Sequence, residues 1–165
     1  MKTIALQDAN ILIDLVKTGL LDHCLALPYR FTTTDIILDE LHAEQFAIVQ
    51  QHISSGKFDL ILISAKEMTA IQEMIKQDTR LSEQDWSAYY YAKEKQALLL
   101  TGDKRLRSIA TANGLTVCGI FWVIDQLVDS RVVSTADAYV FLQALKTINK
   151  RLPQEEYDKR IVLWG

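Results

Sequence analysis

Short apolar runs alternate along the chain with longer segments in which apolar residues recur every three or four positions. The runs near residues 3–7, 30–34, 57–63, 97–101 and 115–118 read as strands. They are continuously apolar rather than alternating, as in Phe58 to Ile63 and Ala97 to Leu100. That pattern predicts burial on both faces, as in a parallel sheet. Helix-period segments fall near 10–18, 35–54, 65–78, 82–95 and 103–113, with two more near 119–129 and 135–149. The alternation predicts an α/β fold, a three-layer α/β/α arrangement around a central parallel sheet of about five strands, followed by extra C-terminal helices.

Local signals mark several boundaries. Ser82-Glu83-Gln84-Asp85 places a helix-cap residue three positions before an acid, and Ser134-Thr135 precedes an Ala/Tyr/Phe/Leu stripe. Gly114 reads as a helix stop, while Pro28 and Pro153 fall outside the predicted elements. The tail from Arg151 to Gly165 offers only Ile161, Leu163 and Trp164 for packing and is assigned no element. With 165 residues and no repeat, low-complexity segment or Gly/Ser linker, a single domain over 1–165 is expected, its core near 3–120 and a helical extension near 121–165.

Composition adds exclusions. At 49% hydrophobic and 24% charged residues, the chain resembles an ordinary soluble protein. Its longest apolar stretches, Leu60 to Ile63 and Gly119 to Ile124, are far too short to cross a bilayer, so a cytoplasmic protein with no membrane partner is expected. Cys24 and Cys118 lie far apart without metal spacing, and His23, His42 and His52 are equally unorganised, which disfavours zinc and a structural disulfide. A net charge of −3 argues against coating nucleic acid through bulk electrostatics. Local basic groups persist, notably Lys104, Arg105 and Arg107, which sit where a phosphate backbone would meet the acidic residues beside them. A second group, Lys146, Lys150, Arg151, Lys159 and Arg160, fits a solvated helix face equally well.

Four acids follow the ends of strand-like runs or open helical ones: Asp8, Glu40, Asp85 and Asp103. In a parallel sheet, chain direction gathers such positions at one rim, where open α/β folds keep their ligand crevice. Each has an ordinary explanation: Asp8 and Asp103 as helix caps, Asp85 as the capping-box partner of Ser82, Glu40 as a solvated residue on a helical face with Ile36 and Ala43. Together they repel one another, and a hard divalent cation such as Mg²⁺ relieves that repulsion. Tyr89, Tyr90 and Tyr91 point in different directions on a helix, and Trp86 and Tyr90 share one face, so packing is favoured over base stacking; Trp122 and Trp164 are read the same way.

The segments Leu6 to Asp14, Thr33 to Leu41, Leu81 to Ala88 and Leu100 to Lys104, in that order and spacing, resemble the PIN domain over roughly residues 3–120. The resemblance implies a metal-dependent ribonuclease, many of its relatives being VapC-type toxins. It implies that Asp8, Glu40, Asp85 and Asp103 form the acidic site, with Asn10 and Thr101 in support. Asp8 and Asp103 are then direct ligands of Mg²⁺ or Mn²⁺, Asp85 a direct or water-mediated one, and Glu40 a carboxylate that orients water or holds a second ion. It further implies adjacent first and fourth strands, bringing Asp8 and Asp103 together, and products with a 5′-phosphate and a 3′-hydroxyl. RNA is the implied substrate, an antitoxin protein the implied partner of a toxin, and a homodimer the implied assembly.

The chain runs some forty residues past the usual core, through Gly119 to Ile124 and Ala136 to Leu142, and is longer than compact toxins of this type. These segments fit an oligomer or antitoxin contact and a cover for one sheet face equally. Rival classes are phosphoaspartate chemistry, weakened because Asn10 stands where a second Asp is usual, and a non-catalytic module binding protein or RNA.

Overall fold

The structure is a computed structural model that describes residues 2–165. Five strands form one all-parallel sheet: β1 (Thr3–Gln7), β2 (Tyr29–Thr34), β3 (Asp59–Ile61), β4 (Leu98–Leu100) and β5 (Val117–Cys118), in the order β3-β2-β1-β4-β5. Helices connect them: α1 (Ala9–Thr18), α2 (Leu21–Leu25), α3 (Asp35–Leu38), α4 (Ala43–Ser54), α5 (Ala65–Gln77), α6 (Glu83–Glu94) and α7 (Lys104–Ala112). The chain ends in α8 (Ile120–Asp129), α9 (Thr135–Ile148) and α10 (Gln154–Trp164). This is the three-layer α/β/α architecture expected, with the first and fourth strands side by side.

The central strands carry the core because both faces are covered. Ala5 and Leu6 of β1 and Leu99 and Leu100 of β4 are wholly buried. Their pairing sets Leu6 opposite Leu99 and Gln7 opposite Leu100. The ladder continues one residue further, where the Asp8 amide donates to the Leu100 carbonyl at 2.9 Å. The same core extends past residue 120 through Val123, Leu127, Ala138, Leu142 and Leu145.

Four expectations need correction. The helix predicted over 35–54 is two helices with a break at residues 39–42, so Glu40 lies in a turn and not on a helical face with Ile36 and Ala43. Thr34 caps the first piece through the Ile37 amide, and the His42–Gln45 capping box starts the second. The strand predicted over 57–63 shrinks to three half-buried residues at the sheet edge, with Leu62 largely exposed. The five-residue α2 is too short to leave a periodic signal, and the tail left without an element is the helix α10. Helix α10 buries no residue completely; it docks through half-buried Tyr157, Ile161 and Trp164, with Leu163 exposed, and through polar contacts. The Arg160 guanidinium grips Asp125 of α8 at 2.8 and 2.5 Å and lies over the Phe121 ring.

The tyrosine run behaves as expected, with Tyr89 and Tyr91 buried and Tyr90 half-buried. Gly114 ends α7 with φ of 82°, a left-handed conformation that suits glycine. No helix among the described residues is long and apolar enough to cross a membrane.

Candidate active site

The strand order reverses between β1 and β4, the position at which doubly wound sheets open a crevice beyond their carboxyl ends. Asp8 directly follows β1, and Asp103 lies three residues past the end of the neighbouring β4. Each is also the cap of the helix that follows: Asp8 Oδ1 accepts from the Ala9 amide at 2.9 Å, and Asp103 Oδ1 from the Leu106 amide at 2.8 Å. Capping and clustering are therefore joint properties, because a helix cap at a parallel-strand end points to the sheet rim.

Two polar side chains knit the junctions together. Thr101, fully buried, donates its hydroxyl to Asp8 Oδ2 at 2.7 Å and accepts from the Asp103 amide at 3.1 Å. Asn10 donates to the same Asp8 oxygen at 3.2 Å and accepts from the Gly102 amide at 2.9 Å. Both residues implied as supports thus tie the loop after β1 to the loop after β4.

Asp85 enters from α6. Its Oδ2 accepts from the Ser82 amide at 3.0 Å while its own amide donates to the Ser82 hydroxyl, the capping box predicted from sequence. A connection that the sequence reading missed seats this helix: Thr34, at the end of β2, shares a 3.0 Å hydrogen bond with buried Ser87. The Thr32-Thr33-Thr34 run carried only a strand signal, although a hydroxyl at a strand's end is a ready partner for a neighbouring helix.

Electrostatics reveals which acids sense each other. Asp8 is only 2% exposed, and burial is the main cause that pushes its carboxyl up to about 7. The Thr101 and Ala9 hydrogen bonds oppose that rise, while the charges of Asp85 and Glu40 add to it. Partial burial, and then the Asp85 charge, raise the Glu40 carboxyl above its ordinary value. Asp8, Glu40 and Asp85 therefore lie within mutual electrostatic reach, while Asp103 is tied to Asp8 through its backbone amide and the Thr101 hydroxyl.

The donors suit a hard cation. All are oxygens, and the Glu40 carboxylate, one oxygen of Asp85 and one of Asp103 make no hydrogen bond among the described residues. No group of three His, Cys, Asp or Glu side chains among the described residues forms a ready-made cage. Mg²⁺ does not require one, since it keeps several waters and takes one or two carboxylates directly.

The basic residues divide. Arg107 donates to the Thr101 carbonyl at 3.4 Å, bracing the loop after β4. Lys104 and Arg105 are exposed on the first turn of α7 and form no ion pair among the described residues.

Comparison with the solved structure of an archaeal protein agrees with this architecture. The crystal structure of PAE2754 from Pyrobaculum aerophilum superimposes with a TM-score of 0.54 at 16% identity, covering 78% of this chain and 99% of that one. A PilT N-terminus domain protein, SSO1118 from Sulfolobus solfataricus P2, gives a TM-score of 0.49 at 18% identity, with 76% and 94% covered. No curated protein sequence matches the chain. A family model described as a PIN domain matches residues 4–165, nearly the whole length. With its acids at the switch point of a parallel sheet and that match running past α9 and α10, the chain belongs to the PIN domain family.

Proposed function

We propose that this protein is a ribonuclease dependent on Mg²⁺ or Mn²⁺, with Asp8, Asp85 and Asp103 holding the cation and Glu40 beside them. The observation that carries the reading is Asp8 itself. A carboxylate this deeply buried, and exposed to the charges of two neighbouring acids, is costly to ionise unless a cation joins it. The chemistry supplied by such a cation is charge neutralisation at the phosphodiester and activation of a water for in-line attack.

The chain's own residues do the rest. Thr101 and Asn10 fix the Asp8 carboxylate and hold the two strand-end loops in register, so Asp8 and Asp103 meet the substrate as a preset pair. Glu40, whose proton affinity is raised by its surroundings, is suited to accept a proton from water. Lys104 and Arg105 present positive charge one and two residues after Asp103, where the phosphate backbone approaches.

The test is incubation of the pure protein with a mixed pool of structured RNAs in Mg²⁺, Mn²⁺ or EDTA, beside Asp8→Asn and Asp103→Asn. Metal-dependent cuts should fall by about a thousandfold in either folded variant, the loss of several kcal/mol of charge stabilisation. Cuts that persist in both variants would place the chemistry elsewhere. Metal binding and cleavage both absent would make the chain a non-catalytic binding module.

A further inference from the structure

The loop between α5 and α6 carries an arginine that none of the preceding chemistry uses. Arg80 is two-thirds exposed, yet Asp78 holds it in place. Its Nε donates to Asp78 Oδ1 at 2.9 Å and its Nη2 to Oδ2 at 2.5 Å, while its backbone amide donates to Oδ1 at 3.0 Å. Asp78 is anchored in turn, because the buried Trp86 indole donates to its carbonyl at 3.1 Å. Trp86 directly follows Asp85 in α6, so this loop is fixed against the helix that delivers an acid to the site.

The Arg80 hydrogen bonds hold the Asp78 carboxyl down to about 2, and the charge of Arg105, exposed on the first turn of α7 two residues after Asp103, adds the smallest share. A guanidinium has five N–H donors, and two of Arg80's are occupied by Asp78, leaving three directed away from it. Arginine held by a carboxylate in this way loses little side-chain entropy on binding and presents a planar fork to a phosphate.

We infer that Arg80 binds a backbone phosphate of single-stranded RNA flanking the acidic centre. The inference rests on the proposed nuclease reading for its choice of ligand, and its test needs no chemistry. A labelled single-stranded RNA oligonucleotide is titrated with the full-length protein in EDTA across a salt series, following fluorescence anisotropy. Arg80→Ala should weaken binding by about tenfold and flatten the slope of log affinity against log salt by about 0.7, the share of one phosphate contact. Arg80→Lys should keep the slope and lose part of the affinity, because charge survives and the fork does not. Arg30→Ala, at the opposite end of the strands, should match the unmodified protein.

Superimposable curves for Arg80→Ala and the unmodified protein would overturn the inference, as would equal losses in Arg80→Ala and Arg30→Ala, or no RNA binding at all. RNA held through Arg80 but never cut would defeat the nuclease reading alone. RNA cut normally by Arg80→Ala, with unchanged binding, would defeat the phosphate contact alone.

Discussion

The two halves of the acidic site are built differently. On one side, Asp8, Asn10, Thr101, Gly102 and Asp103 form a closed set of hydrogen bonds linking two adjacent strand ends. On the other, Asp85 is bonded only to Ser82 of its own helix start, and Glu40 sits in a turn between two short helices. One half is preorganised by the sheet, whereas the other depends on how α6 and the α3–α4 turn settle against it. The lesson is that a rigid pair can set position while looser neighbours adjust to cation and substrate.

The sharpest way to probe that contrast is pH, since the rigid half contains the buried acid. Asp8 has a folded-state value of about 7 against an ordinary 3.8, so the folded protein holds this proton more tightly than the unfolded chain. Its contribution is therefore fully present below about pH 4 and is lost as pH rises through about 7. Urea denaturation in EDTA should show the protein losing on the order of a few kcal/mol more between pH 5 and pH 8 than Asp8→Asn does. Mg²⁺ at pH 8 should restore stability to the unmodified protein. Identical pH profiles for the two proteins would remove the strain assigned to Asp8.

A smaller effect isolates the tie between the strands. Thr101→Val deletes the hydroxyl that serves both Asp8 and the Asp103 amide, and should lower metal affinity or cleavage by about 10- to 100-fold. Calorimetric titration with Mn²⁺ reads the first quantity and a cleavage assay the second. The smallest change belongs to the looser half. Ser82→Ala removes one cap and should cost about 1 kcal/mol of stability, with less than a tenfold loss in cleavage. If Ser82→Ala impaired cleavage as severely as Thr101→Val, the two halves would be equally dependent on local bonding and the contrast would collapse.

What the sequence made legible follows the same division. Asp8 and Asp103 could be read because a continuous apolar run stops and an acid follows it, a pattern that maps directly onto strand and rim. Asp85 could be read from the spacing of its capping box. Glu40 falls in a helix-period segment where it shares a face with Ile36 and Ala43, and the break at residues 39–42 depends on the Thr34 and Gln45 caps. The Thr34–Ser87 bond is silent in the sequence because its partners lie 53 residues apart and meet only on folding, and the Asp78–Arg80 pair because opposite charges two residues apart are ordinary in a surface loop. The last helix has a weak signal for a related reason: its apolar contacts are only the three half-buried residues Tyr157, Ile161 and Trp164, and its other anchor, Arg160 on Asp125, spans 35 residues of chain.

That attachment has a consequence for how the molecule opens. Helix α10 contributes no fully buried side chain, so releasing it frees only the half-buried Tyr157, Ile161 and Trp164 and undoes the charged grip of Arg160 on Asp125. The free energy of such a sub-global opening lies well below that of global unfolding, and it falls as ionic strength weakens the ion pair. The protein is therefore graded in cooperativity, with a central sheet that opens only when everything does and a terminal helix that exchanges its amide hydrogens on its own schedule.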